Sequence, residues 1–194
     1  MEHLSGNMDI KFRRSHPYIH MYHVKGLNNW LQSEKELLIE ESNNPKIKEG
    51  VVNYYTSSKL INEELHSLLV NITLQYYFVG NDYDRSFNYG PTPMVYYQTR
   101  KEGERIFHNH YKSDTITATT YIDPIGQEHG GGLELFMHEK SRPIIYPEPD
   151  YVYFFPAWIL HRPLPQSIDT PRLCINWGFN CSVRPIHKLT GDRW

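Results

Sequence analysis

The chain has 194 residues, 39% hydrophobic and 14% aromatic, enough to close one core, and it reads as one domain over 1–194. Twenty Lys and Arg against 22 Asp and Glu leave a net charge of −2, which lacks the footprint of a nucleic-acid binder, so no nucleic-acid partner is expected. Two cysteines, Cys174 and Cys181, exclude a disulfide framework and a thiolate-rich zinc site, and no stretch reaches the ~18 apolar residues of a membrane span.

No basic leader or signal-length apolar run opens the sequence, so a reducing, cytoplasmic setting is the expectation, with no membrane partner. The first 90 residues read as a helical and loop support region. Ser33, followed by Glu36 and then Leu37, Leu38 and Ile39, has the pattern of a capping box and predicts a helix start there, ending before Asn43-Asn44-Pro45. Leu60, Ile61, Leu65, Leu68, Leu69 and Ile72 recur at helical spacing and predict a second, amphipathic helix. The stretch 80–91 has no period and predicts an ordered loop.

Residues 91–182 change texture. The runs 94–99, 115–122, 132–136, 151–155 and 173–179 are short and β-branched or aromatic, with Pro and Gly turns between them. The connections are too short for repeated βαβ crossovers. The predicted class is therefore mainly β with packed N-terminal helices: a double-stranded β-helix, or jelly roll, of the cupin-like kind. Gly130-Gly131-Gly132 predicts a tight turn ahead of a strand. Trp158 and Trp177 are expected to pack in the barrel. An edge strand or the Leu65 helix offers a surface for a homodimer.

The chemistry concentrates in Phe107-His108-Asn109-His110 and in Phe155-Pro156-Ala157-Trp158-Ile159-Leu160-His161. Residues two apart on an extended backbone point to the same face, so His108 and His110 can approach one ion. His161 follows 51 residues later, a distance that a jelly roll folds back to supply a third imidazole. Such a nitrogen set suits Fe(II), Zn, Ni or Cu. Asp114, four residues past His110, is the nearest carboxylate and serves either as a ligand, as a hydrogen-bond partner of an imidazole, or as a turn residue. Arg172, 11 residues beyond His161, offers a guanidinium fork for a carboxylate.

At these residues the sequence resembles the Fe(II)/2-oxoglutarate-dependent oxygenases, in particular the prolyl-hydroxylase-like branch. The resemblance covers about Met94 to Phe179 and includes the Ile116 to Ile122 strand, the segment Gly130 to Phe136, Phe155-Pro156-Ala157-Trp158 and Arg172 to Trp177. It implies a metal held by His108, by His161 and by His110 or Asp114, with Fe(II) and 2-oxoglutarate as cofactors. His110 stands where the family has a carboxylate. The resemblance further implies that Arg172 binds the distal carboxylate of 2-oxoglutarate, helped by a tyrosine that is Tyr96, Tyr97 or Tyr121, and that the substrate is a peptide or a small molecule.

Two other readings use the same residues. The spacing His108-x-His110-x3-Asp114 with a later His161 is similar to the ligand pattern of cupins, which implies a metal enzyme independent of 2-oxoglutarate. A non-catalytic jelly-roll interaction module would keep its binding without metal. Neither cysteine has a sequence signal placing it beside a base, and no glycine-rich nucleotide loop is present.

Overall fold

The computed structural model of the chain describes residues 10–16, 19–42, 53–56, 63–73, 92–98, 106–112, 116–138, 140–170 and 172–179. Among the described residues, ten strands and two α-helices lie in the order β1 (Ile10–His16), β2 (Ile19–Val24), α1 (Leu27–Ser42), β3 (Asn53–Thr56), α2 (Glu63–Ile72), β4 (Thr92–Gln98), β5 (Ile116–Ile122), β6 (Leu133–Phe136), β7 (Ile144–Ile145), β8 (Tyr151–Pro156), β9 (Leu160–Pro163) and β10 (Arg172–Phe179). A seven-stranded sheet runs β1-β2-β8-β5-β10-β4-β3, and a three-stranded sheet runs β7-β6-β9. All the pairings are antiparallel. This is the double-stranded β-helix.

Strand alternation sorts the large sheet into two faces. Ile116, Ala118 and Ile122 of β5, Val152 and Phe154 of β8, and Leu173, Ile175 and Trp177 of β10 pack with Leu27 and Leu31 of α1 and Leu68, Leu69 and Ile72 of α2. The alternate residues, including Met21, Tyr121, Tyr153 and Phe155, pack instead against Leu133 and Leu135 of β6. The helices thus cover one face, and the small sheet covers the other. Trp177 anchors the helical side: its Nε1–H donates to Thr73 Oγ1 at 3.0 Å, and the Thr73 hydroxyl donates to the Leu69 carbonyl at 2.8 Å.

Two expectations need correction. The first helix begins at Leu27, not at Ser33, because its start is capped from afar: Asp150 Oδ1 accepts the Asn28 N–H at 2.6 Å, and Gly26 supplies the turn at φ +82°. Asp123 holds the next turns through Gln32 and Lys35. The support region also carries three strands. β1, with Lys11, Arg13 and Arg14, is an edge strand whose charges conceal its hydrophobic period, as edge strands commonly do. The stretch 80–91 lies outside the described residues.

Candidate metal centre and anion pocket

β9 brings the three histidines together. His108 and His161 exchange both backbone hydrogen bonds, N–H to carbonyl at 3.0 and 2.8 Å, so they sit directly opposite one another and share a face. On its other side β9 pairs His161 with Leu135, whose side chain belongs to the inner core. His110 is fixed by its N–H to the carbonyl of Ala157 at 2.9 Å. One ligand nitrogen from each of His108, His110 and His161 lies within 4.8 Å of the other two. The ring centroids are 4.3 to 5.3 Å apart.

One tautomer is set by the backbone. His161 Nδ1 lies 3.0 Å from the carbonyl oxygen of Ile159, which can only accept, so Nδ1 carries the proton and Nε2 carries the lone pair. The ring is 5% exposed and packs edge-on against Phe155 at 5.1 Å. Behind the histidines, on the outer face of the small sheet, Phe107 is held between Phe136 at 5.7 Å and the Arg162 guanidinium at 4.4 Å, itself paired with Glu134 at 2.7 Å. That outer lock turns His108 inward by strand alternation.

Among the described residues the triad is all-imidazole; Asp114 lies outside them. Three neutral nitrogen donors fit a borderline divalent ion such as Fe(II) or Zn(II).

Arg172 lies at the start of β10, on the same inner face. It is 3% exposed. Its Nη1–H donates to the carbonyls of Gly131 and Gly132, while Nη2 is buried with no hydrogen-bond partner. Among the described residues no carboxylate pairs with it. A buried guanidinium without a counter-ion costs several kcal/mol, a cost that an anion bound beside it would offset. Gly131 holds φ +72° there, a backbone conformation that glycine adopts without strain.

The pocket's neighbours are uncharged at neutral pH. Burial, reinforced by Cys174, pushes the Tyr121 hydroxyl well above its ordinary value against the pull of Arg172 and Thr119, so it stays a donor. Burial likewise pushes the Cys174 thiol up to about 11, with Arg172 opposing. In register, Cys174 pairs with Tyr121 on one side and Tyr96 on the other, whereas Tyr97 pairs with Leu173. Directly opposed residues share a face, which puts Tyr121 on the face of Cys174, two residues along β10 from Arg172 and on the same side of the sheet. The side chains of Tyr96 and Tyr97, the other tyrosines considered as cosubstrate contacts, lie outside the described residues.

Several residues of this region were not singled out from sequence. Gln166 and Thr117 are buried polar residues of the inner region. Trp158, expected in the barrel, is 53% exposed on the turn that Ile159 N–H closes onto Pro156 O at 3.0 Å. With Ile106 and Tyr111 it leaves three large apolar side chains exposed beside the histidines. Their adjacency in sequence to His108, His110 and His161 was the available signal.

No protein-family model matches the chain, and no curated relative matches it. Among solved structures it is similar to a Pseudomonas putida prolyl-4-hydroxylase at 15% identity, over 91% of this chain and 95% of that one, with a TM-score of 0.63. This chain has the prolyl-hydroxylase fold. A Trichoplax adhaerens prolyl hydroxylase, solved with a hypoxia inducible factor oxygen degradation domain peptide fragment, matches at 15% identity, 90% and 87% coverage and TM-score 0.61. The viral collagen prolyl hydroxylase of Paramecium Bursaria Chlorella virus-1, solved as a 2OG complex, matches at 13% identity, 83% and 94% coverage and TM-score 0.59.

Proposed function

We propose that this chain is an Fe(II)- and 2-oxoglutarate-dependent dioxygenase that hydroxylates a peptidyl substrate. The observation that carries the reading is Arg172, a buried cation with an orphaned Nη2 and no carboxylate partner among the described residues, on the inner face that also receives the three imidazoles. His108, His110 and His161 would hold the metal, and Arg172 and the Tyr121 hydroxyl would bind the distal carboxylate of 2-oxoglutarate. Iron and 2-oxoglutarate together supply the oxidation: one oxygen atom of O2 enters a substrate C–H bond, and the other leaves in succinate as CO2 is released.

The protein's own part is orientation and exclusion. The Ile159 carbonyl keeps the proton of His161 on Nδ1, presenting Nε2 as a ligand. Phe155, Leu135 and Tyr153 keep water from the inner side of the site. A peptide substrate is supported by the exposed Tyr111 and Trp158, with the apolar Ile106 exposed as well, since rigid aromatic side chains bind polypeptide at low entropic cost, and by the peptide complex of the Trichoplax protein. A small-molecule substrate is the narrower alternative.

The test is an anaerobic Fe(II) titration of metal-free protein, following visible charge-transfer absorption as 2-oxoglutarate is added, with His161→Ala and Arg172→Ala beside the wild type. The expected result is a band that needs both components, lost in the first variant and weakened in the second. One observation, His110 in place of a carboxylate, favours a cupin-like reaction independent of 2-oxoglutarate. Tight metal binding with no response to 2-oxoglutarate would establish that reading instead, and no specific metal binding would leave an interaction module.

A further inference from the structure

Arg172 has an unusual dependence on the loop in front of it. It pairs with Gln98 of β4, but on the β5 side the ladder begins only at Leu173 with Ile122, and the next β5-side residue, Asp123, turns away at φ +49°. Half of the lateral support that a central-strand residue receives is therefore missing at Arg172. What replaces it is the pairing of the 164–167 segment with the glycine turn. Leu164 N–H donates to Gly132 O and Gly131 N–H to Pro165 O, both at 2.8 Å, and Ser167 N–H donates to His129 O at 2.8 Å.

Gln166 lies at the centre of this arrangement. It is 6% exposed, and its backbone bridges to Gly130. Its side-chain amide donates to the carbonyls of Ile168, at 3.1 Å, and Thr170, at 2.5 Å, the latter two residues before Arg172. The side chain also lies against Gly131, whose Cβ position is 3.8 Å from both Gln166 Oε1 and Arg172 Nη1. One residue thus ties the chain entering Arg172 to the turn that receives its guanidinium. Only a side chain with two N–H donors and this reach does so: Glu lacks the donors, and Met has the shape without the polarity.

We propose that Gln166 is a positioning residue for Arg172, setting the separation between guanidinium and metal and so the chain length of the 2-oxo dicarboxylic acid the pocket accepts. The inference rests on the functional reading above. A cosubstrate chelated at one end and paired at the other is selected by that separation. Loosening the loop lets the guanidinium follow shorter or longer acids, which flattens the preference among them.

The experiment compares oxaloacetate, 2-oxoglutarate and 2-oxoadipate, acids of increasing length, by anaerobic charge-transfer titration of the Fe(II)-loaded full chain. Gln166→Met, which removes both loop hydrogen bonds, is expected to weaken 2-oxoglutarate binding about tenfold as the guanidinium loses its fixed place, and to narrow the ratios between the acids while Fe(II) affinity is kept. Thr73→Val, which removes the Trp177 partner on the opposite face of the sheet, serves as the control for general destabilisation. It should lower the melting temperature and leave the ratios as in wild type. Wild-type ratios in Gln166→Met, or ratios moved equally by Thr73→Val, would overturn the proposal. Should Gln166→Met not fold, Gln166→Asn, which keeps an uncharged amide but lacks the reach to both carbonyls, is read in the same way. A wild type with no 2-oxoglutarate-dependent band would refute the functional reading and this inference with it, whereas wild-type ratios in a protein that does show the band would refute the inference alone.

Discussion

Replacing Arg172 by Met should separate stability from binding. The thioether keeps much of the side chain's length, so the loss is chiefly the guanidinium. In the ligand-free protein two effects oppose one another. Gly131 O loses its donor, at about 1–3 kcal/mol for a buried orphan acceptor, while Gly132 O keeps the Leu164 N–H at 2.8 Å. Against this, the fold no longer buries a cation that is 3% exposed and has an orphaned Nη2, a burden of several kcal/mol. The balance favours the variant by about 1–2 kcal/mol, or roughly 2–8 °C in melting temperature for a chain of this size. Binding moves the other way. Two charge-assisted hydrogen bonds of about 1.5–3 kcal/mol each are lost to the carboxylate, weakening 2-oxoglutarate by at least about 100-fold.

Differential scanning calorimetry with Mn(II) in place of Fe(II) reads both terms without turnover. At a 2-oxoglutarate concentration about 100 times its wild-type Kd, the wild type should gain about 2.7 kcal/mol, or roughly 5–11 °C. The variant, at about its own Kd, should gain roughly 0.4 kcal/mol, close to 1 °C. A variant that melts several degrees lower without ligand, yet keeps the wild-type response to 2-oxoglutarate, would refute the reasoning that Arg172 is held in readiness for an anion.

His108→Ala, His110→Ala and His161→Ala should each weaken divalent metal binding by at least about 100-fold in equilibrium dialysis, since each removes a direct ligand; Asp114→Ala should leave it unchanged, and an equal loss there would move the carboxylate into the site. In a Cys181→Ser background, Cys174 should react with iodoacetamide at pH 8.5 on the order of 100-fold more slowly in the folded than in the urea-unfolded protein, because its thiol is pushed up to about 11. The sign of the linked stability follows. A raised folded-state value makes the contribution complete below pH 9 and lost as pH rises through about 11, which urea midpoints across that window would register. Trp177→Phe, which loses the Thr73 hydrogen bond and leaves a void on the helical face, should cost about 2–3 kcal/mol by urea unfolding with metal affinity retained.

The amino-acid order alone was enough for the runs that became β4, β5, β6, β8 and β10, and hence for the jelly roll, because strands covered by neighbouring layers show themselves as short β-branched or aromatic runs between turns. It also determined that His108 and His110 share a face, which any extended backbone enforces. Tertiary structure decided the rest. That His161 lies opposite His108 follows from an antiparallel bridge between segments 53 residues apart, and no local period encodes such a register. The start of α1 depends on Asp150, 122 residues from the Asn28 N–H it accepts. Tyr121 and Tyr97 are both tyrosines on strands beside β10, yet the register pairs the first with Cys174 and the second with Leu173. Arg172 could be read as an anion binder from its place after His161, but not as a buried cation lacking a counter-charge. That property belongs to the glycine turn and the loop around Gln166, whose carbonyls hold the guanidinium without neutralising it, and only the folded chain brings them together.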